Sequence, residues 1–239
     1  MTEELNADVS ANLDRSAVIE VRSVTKRFRS GPDTINAVDD ASFSLYRGMF
    51  TALSGPSGSG KTTLLNLVLG WEQPDEGDVV GILDVPDWSS VSVVPQSLGL
   101  LPHLTLVENI TMPSKVAGGA RVTRGAAHDE HLRLMDALHI THLANRFPDE
   151  TSLGEQQRAA IARALITAPR LLVADEPTSH QDELSTERII DELVRAASAG
   201  TTILVATHDT RLTEPADVLL LIDDGVVTMT AVVAESAPM

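Results

Sequence analysis

Apolar side chains change their spacing several times along the chain, and each change marks an element. VIEVRSV (18–24) alternates apolar and charged residues as a half-buried strand does, so the ordered fold is expected to begin there. FTALS (50–54) is a short strand, and it runs through a loop with three glycines into TTLLNLVLG, whose apolar period is helical and ends at Gly70. VVGILDV and VSVVPQ read as further strands separated by the turn PDWSS. From about 104 to 150 the pattern turns helical and more polar, with apolar positions such as Leu132, Met135, Leu138 and Ile140, and this is expected to be a helical insertion. RLLVAD is apolar at strand length and expected to be buried on both faces. A helix pattern from Glu183 to Ala199 and the strand TTILVATH follow, then VLLLID and VVTMT with DDG between them as a hairpin turn. Strands alternating with helices predict an α/β fold whose sheet is mostly parallel at its centre.

Composition narrows this picture. Hydrophobic residues make up 43% of the 239 and aromatics only 3%, so the core must be built from Ala, Val, Leu and Ile, which suits a buried sheet covered by helices. One large domain, or a domain with a subdomain, fits the length. Acidic residues outnumber basic ones 34 to 18, a net charge of −16 that offers no general attraction for nucleic-acid phosphates. With no cysteine, disulfides and thiolate metal sites are excluded. No apolar run reaches the roughly 18 residues of a membrane span, and MTEELNADVSANLD lacks the features of a signal peptide. The expectation is a cytoplasmic protein that reaches a membrane only through a partner, with residues 1–16 as a disordered acidic tail.

Candidate chemistry starts at GPSGSGKTT, Gly55 to Thr63, which fits GxxxxGK[ST] between a strand and a helix. Its glycines let the backbone wrap a polyphosphate, with the N–H groups of Ser57, Gly58, Ser59, Gly60, Lys61, Thr62 and Thr63 turned inward. Lys61 can reach the β- and γ-phosphates and the Thr62 hydroxyl can meet Mg²⁺. LLVADEP supplies Asp175 at the end of a buried strand, where an acidic residue can hold Mg²⁺. Glu176 follows it, where a carboxylate can orient or deprotonate water. In TSLGEQQR, Ser152 and Glu155 have the spacing of a capping box. A helix end of that kind also attracts anions.

Together these stretches resemble the ATP-binding subunit of ABC transporters, over residues 18 to about 229. TSLGEQQRAAIARAL looks like that family's signature sequence, and RLLVADEPTS follows at the usual distance. Gln96 in VVPQSLGLLPHLTLVENI looks like the glutamine loop and His208 in VATHD like the switch histidine. Phe28 in VTKRF takes the place of the aromatic that stacks on adenine, and SHQD (179–182) that of the D-loop. The resemblance implies a P-loop NTPase core of ABC type, with a short antiparallel β-subdomain and a helical subdomain at about 100–158 inserted in a single domain, 17–239. It implies ATP and Mg²⁺ as cofactors, with Thr62, Gln96 and Asp175 toward the metal and Glu176 and His208 as the catalytic pair. Two copies would associate head to tail, so that Ser152, Gly154, Glu155 and their helix end meet the γ-phosphate held by the other copy. A separate membrane permease is the implied partner, and this chain itself would neither insert in the membrane nor bind nucleic acid. Leu98, Leu100, Leu101 and Leu104 read either as core or as a docking surface.

Some residues depart from the family pattern. Its usual LSGGQ is TSLGE here, and Leu153 adds bulk beside the expected phosphate. His180 and Gln181 stand where small and apolar residues are common. The stretch from Gly77 to Gln96 is short, which suggests a trimmed β-subdomain. His128, His131, His139 and His142 lack a supporting ligand set and are expected on a solvated helix face. The functional expectation is an ATPase subunit energising a permease, in the branch with macrolide exporters, lipoprotein-release systems and the cell-division complex. The alternative is a regulatory or mechanotransmitting ATP-binding module with weak turnover. A soluble protein of this type acting on nucleic acid or ribosomes is disfavoured by charge and by having one cassette per chain.

Overall fold

A computed structural model describes residues 17–81, 90–116 and 124–231. The acidic stretch 1–16, the second half of VVGILDV, most of PDWSS and the side chain of His128 lie outside the described residues. The strands are β1 (Ala17–Ser30), β2 (Asp33–Tyr46), β3 (Phe50–Ser54), β4 (Glu76–Gly81), β5 (Val91–Val94), β6 (Leu171–Asp175), β7 (Thr202–Thr207), β8 (Val218–Asp223) and β9 (Val226–Ala231). The helices are α1 (Lys61–Val68), α2 (Leu106–Val116), α3 (Arg124–Ala137), α4 (Leu153–Leu165), α5 (Glu183–Ser198) and α6 (Thr210–Thr213). The chain divides into two compact units, one made of 1–87 with 202–239 and the other of 88–201.

In the first unit the strands run in the order β4-β1-β2-β9-β8-β3-β7. β3 is parallel to β7 and β8, while β1 is antiparallel to β2 and β4. Every residue of β7 is buried, as are four of the five of β3, which accounts for their unbroken apolar sequences. α1 buries Leu64, Leu65, Leu67 and Val68, and Phe43, Leu45 and Phe50 of β2 and β3 are buried in the same unit. β8 and β9 pair antiparallel up to Asp223↔Val226, so the turn is Asp224–Gly225. Both have positive φ, as a two-residue hairpin turn with Asp-Gly requires. The sequence pattern gave no warning of β2. Its alternation breaks at Asp39-Asp40, where Asp40 has φ 47° and the pairing with β1 shifts register.

In the second unit β5 and β6 pair in parallel. Ala159, Ala160 and Ala162 of α4 are fully buried, small side chains that let α2, α3 and β5 approach closely. α3 corrects two expectations. Leu132 is exposed, and the buried face is formed by His131, Leu134, Met135 and Leu138, a spacing of three, four and seven residues. His131 therefore belongs to the interior, at 8% exposure, and not to a solvated face; polar neighbours in sequence masked the helical period. His139 and His142 are exposed, with ring centroids 5.5 Å apart. Among the described residues no helix is long and apolar enough to cross a membrane.

Candidate functional site

In the first unit β3 delivers the chain to the glycine loop, and α1 begins at Lys61. Gly60 has φ 107°, and a Cβ there would overlap the carbonyl oxygen of Ala37, so conformation and space both demand glycine. Ser57, Gly58 and Thr62 are exposed, Thr63 is half-buried, and Ser59 is buried. The Lys61 ammonium donates to the carbonyls of Gly55 (2.8 Å) and Pro56 (3.0 Å), which keeps it over the loop it follows. The first N–H groups of α1 have no acceptor within the helix and lie at its positive end. Backbone donors, an ammonium and exposed hydroxyls together suit a polyphosphate. The hairpin turn supports this loop, because the N–H of Gly225 donates to the carbonyl of Ser59 (3.1 Å) and that of Asp39 to the carbonyl of Gly225 (2.9 Å).

His208 is exposed at the same sheet end. Ser54 and Thr207 are Cα partners in the parallel pair of β3 and β7, so Gly55 and His208 leave adjacent strands side by side. The N–H of Asp209 donates to the Thr207 hydroxyl at 2.9 Å, fixing the backbone on either side of the histidine. Phe28, 42% exposed, pairs with the exposed Ile35 across the β1–β2 hairpin, and the Lys26 ammonium lies 5.5 Å from its ring centroid. That face suits a flat aromatic ligand.

In the second unit Val94 and Ala174 are the last Cα partners of β5 and β6. Gln96, exposed, lies two residues beyond Val94, and Asp175 and Glu176 lie just beyond Ala174. This is the carboxyl end of a parallel pair, where α/β sheets place ligand groups. Asp175 is buried and Glu176 half-buried with φ 51°, a left-handed backbone that costs a non-glycine residue about 1 kcal/mol. Gln157 of α4 meets that strain: it is 2% exposed, and its Nε2 donates to the Glu176 carbonyl at 3.0 Å. The Ser179 hydroxyl donates to the same carbonyl at 2.9 Å. Sequence reasoning passed over Gln157. The available signal was an uncharged polar residue three positions after Gly154, on the face that continues to Ile161.

The capping box at α4 is present as its spacing predicts. The N–H of Glu155 donates to Ser152 Oγ (3.3 Å), and that of Ser152 to Glu155 Oε2 (2.8 Å). Burial opposes ionisation of Glu155, but the Ser152 hydrogen bonds outweigh it and hold the carboxyl below its ordinary range. Leu153 and Gly154 contribute the first N–H groups of the helix, and Leu153 is 47% exposed. Gly154 has a local reason to be glycine, since a Cβ would come within 2.9 Å of the His180 carbonyl oxygen. After Gln96, Leu98 is buried and Leu101 exposed, so the leucine group divides between core and surface. Burial pulls the Arg163 guanidinium down, and it donates to the carbonyls of Leu98 (2.6 Å) and Gly99 (2.5 Å), fastening that stretch to α4.

The family model described as ABC transporter matches residues 38–179. The spermidine/putrescine import ATP-binding protein of Chromobacterium violaceum is 41% identical over 81% of this chain and 53% of its own, so the chain spans about half the length of that relative. The lipoprotein-releasing system ATP-binding protein of Paramagnetospirillum magneticum is 32% identical over 87% of this chain and 96% of its own. A solved dimeric ATP-binding cassette, in a post-hydrolysis state bound to ADP and phosphate, superposes with a TM-score of 0.79 at 29% identity, covering 89% of this chain and 98% of that one. The chain belongs to the ABC transporter family, as an ATP-binding, ATP-hydrolysing cassette near the branch of the lipoprotein-releasing systems.

Proposed function

We propose that this cassette drives a separate membrane permease from the cytoplasmic face, by pairing head to tail with a second copy when ATP is bound. One observation carries the reading: α4 begins in a complete capping box that leaves the Leu153 and Gly154 N–H groups without a partner inside the helix. Such an end is suited to a phosphate, and the phosphate loop at Gly55–Thr63 already serves the chain's own nucleotide. The α4 end, with Ser152, Gly154 and Glu155, then takes the γ-phosphate bound by the other copy. ATP favours the pair because only the triphosphate reaches both surfaces.

Within each copy the loop residues Ser57 to Thr63 hold the phosphates and Phe28 stacks on the base. Thr62, Gln96 and Asp175 offer a hydroxyl, an amide oxygen and a carboxylate, the oxygen donors that Mg²⁺ prefers. Bound there, the ion would offset phosphate charge. Glu176 takes the proton of the attacking water, and His208 donates a hydrogen bond toward the γ-phosphate. Glu176→Gln should bind ATP and accumulate the paired state without turnover, read by sedimentation with ATP. A variant that still hydrolyses ATP would remove Glu176 from this role.

A second reading rests on Leu153, whose exposed side chain stands beside the α4 N-terminus. The extra bulk would slow turnover and leave a clamp that signals to a membrane partner. ATP turnover with and without the co-purified membrane protein separates the two. Strong stimulation supports the transport ATPase, and pairing without stimulation supports the clamp.

A further inference from the structure

Of the two altered positions in the 179–182 stretch, 181 has its side chain held inside its own unit. Gln181 Nε2 donates to the carbonyl of Gly154 at 3.0 Å, and its Oε1 accepts from the Arg158 guanidinium at 2.7 Å. Arg158 also donates to Ser185 Oγ at 3.2 Å, while Asp182 caps α5 by accepting the Ser185 N–H at 2.8 Å. The amide can sit only one way round, because a guanidinium has no acceptor and a carbonyl has no donor. An apolar residue at 181 makes neither bond. The adjoining backbone lies against the same helix end: His180 has φ 63°, and a Cβ on Gly154 would come within 2.9 Å of its carbonyl oxygen.

We propose that Gln181 is a positioning residue that sets where the N-terminus of α4 lies on the turn that starts at Glu176. Its two bonds replace the apolar packing expected at this position with a directional latch. Gly154, at the phosphate-seeking end of α4, therefore moves with the segment that carries the carboxylate. The consequence for pairing rests on the ATP-dependent association proposed above, whereas the latch itself is a property of one chain.

Two variants test it. Q181M keeps the length and removes both bonds; Q181E keeps the acceptor for Arg158 and sets a carboxylate oxygen against the Gly154 carbonyl. In the nucleotide-free single chain, amide hydrogen exchange across residues 152–158 should quicken at least about tenfold in both, because both lose the bond to the Gly154 carbonyl and tenfold is the loss expected for one good hydrogen bond. In the Glu176→Gln background, ATP-dependent association should weaken by about the same factor, while the affinity of the single chain for ATP stays unchanged. Thermal midpoints identify a variant that has lost its fold, in which case the other carries the test. Unchanged exchange overturns the latch, and faster exchange with unchanged association overturns its role in pairing. If Glu176→Gln alone fails to associate with ATP, the pairing reading falls, and exchange still decides the latch.

Discussion

Glu176 shows how a single residue depends on its neighbours. Its left-handed backbone is unfavourable in isolation and persists because Gln157 and Ser179 both donate to its carbonyl. Gln157→Leu fits the buried site, and Ser179 still serves the carbonyl, so stability should fall by only about 1 kcal/mol. Turnover should fall roughly tenfold or more, with ATP affinity unchanged; steady-state kinetics beside an unfolding curve would check both. The capping box gives a second residue-scale expectation. Glu155 has a folded pKa below its unfolded value of about 4.3, so its charge stabilises the fold above that value and the contribution fades as pH falls through the folded one. Glu155→Gln should therefore be less stable than the parent by a few tenths of a kcal/mol near pH 7, and the two should converge in acid. Urea midpoints measured across that range would reveal the trend, and a gap that widened in acid would reverse the sign.

At the scale of elements, α3 and α5 are joined by an ion pair that no sequence period announces. Arg133 forks onto both carboxylate oxygens of Glu192, at 2.9 and 2.8 Å, and also meets Glu130. Burial works against the Arg133 charge, yet the bonds to Glu130 and Glu192 prevail and raise its pKa. Glu192 is only 7% exposed, so Arg133→Met would leave a buried carboxylate with Arg195 at 3.9 Å as its nearest cation. A cost of about 3 kcal/mol is expected, and pairing that change with Glu192→Leu should recover most of it; denaturant midpoints of the single and double variants decide. The same contrast explains what was legible. β3, β6, β7 and the phosphate loop could be read because continuous apolar runs and glycine spacing are local signals. β2 and the buried His131 could not, since a bulge and a polar helix face depend on partners distant in sequence. Gln157 and Gln181 act through carbonyls 19 and 27 residues away, which composition does not encode.

For the whole molecule the dominant quantity is charge. Each chain carries a formal −16, so two copies that associate bring like charges together. Repulsion of this kind is screened over about 10 Å at 0.1 M salt. Pairing of the Glu176→Gln variant with ATP should therefore strengthen as salt rises from about 0.05 to about 0.3 M, by roughly three- to tenfold. Screening also weakens attraction between Lys61 and the phosphates, so the affinity of the single chain for ATP must be measured at each salt and divided out. Sedimentation at saturating ATP gives the association constant directly. If association weakened with salt after that correction, opposite charges on the two mating faces would outweigh the net repulsion. The Arg and Lys residues near α4 and the phosphate loop would then be the ones to neutralise first.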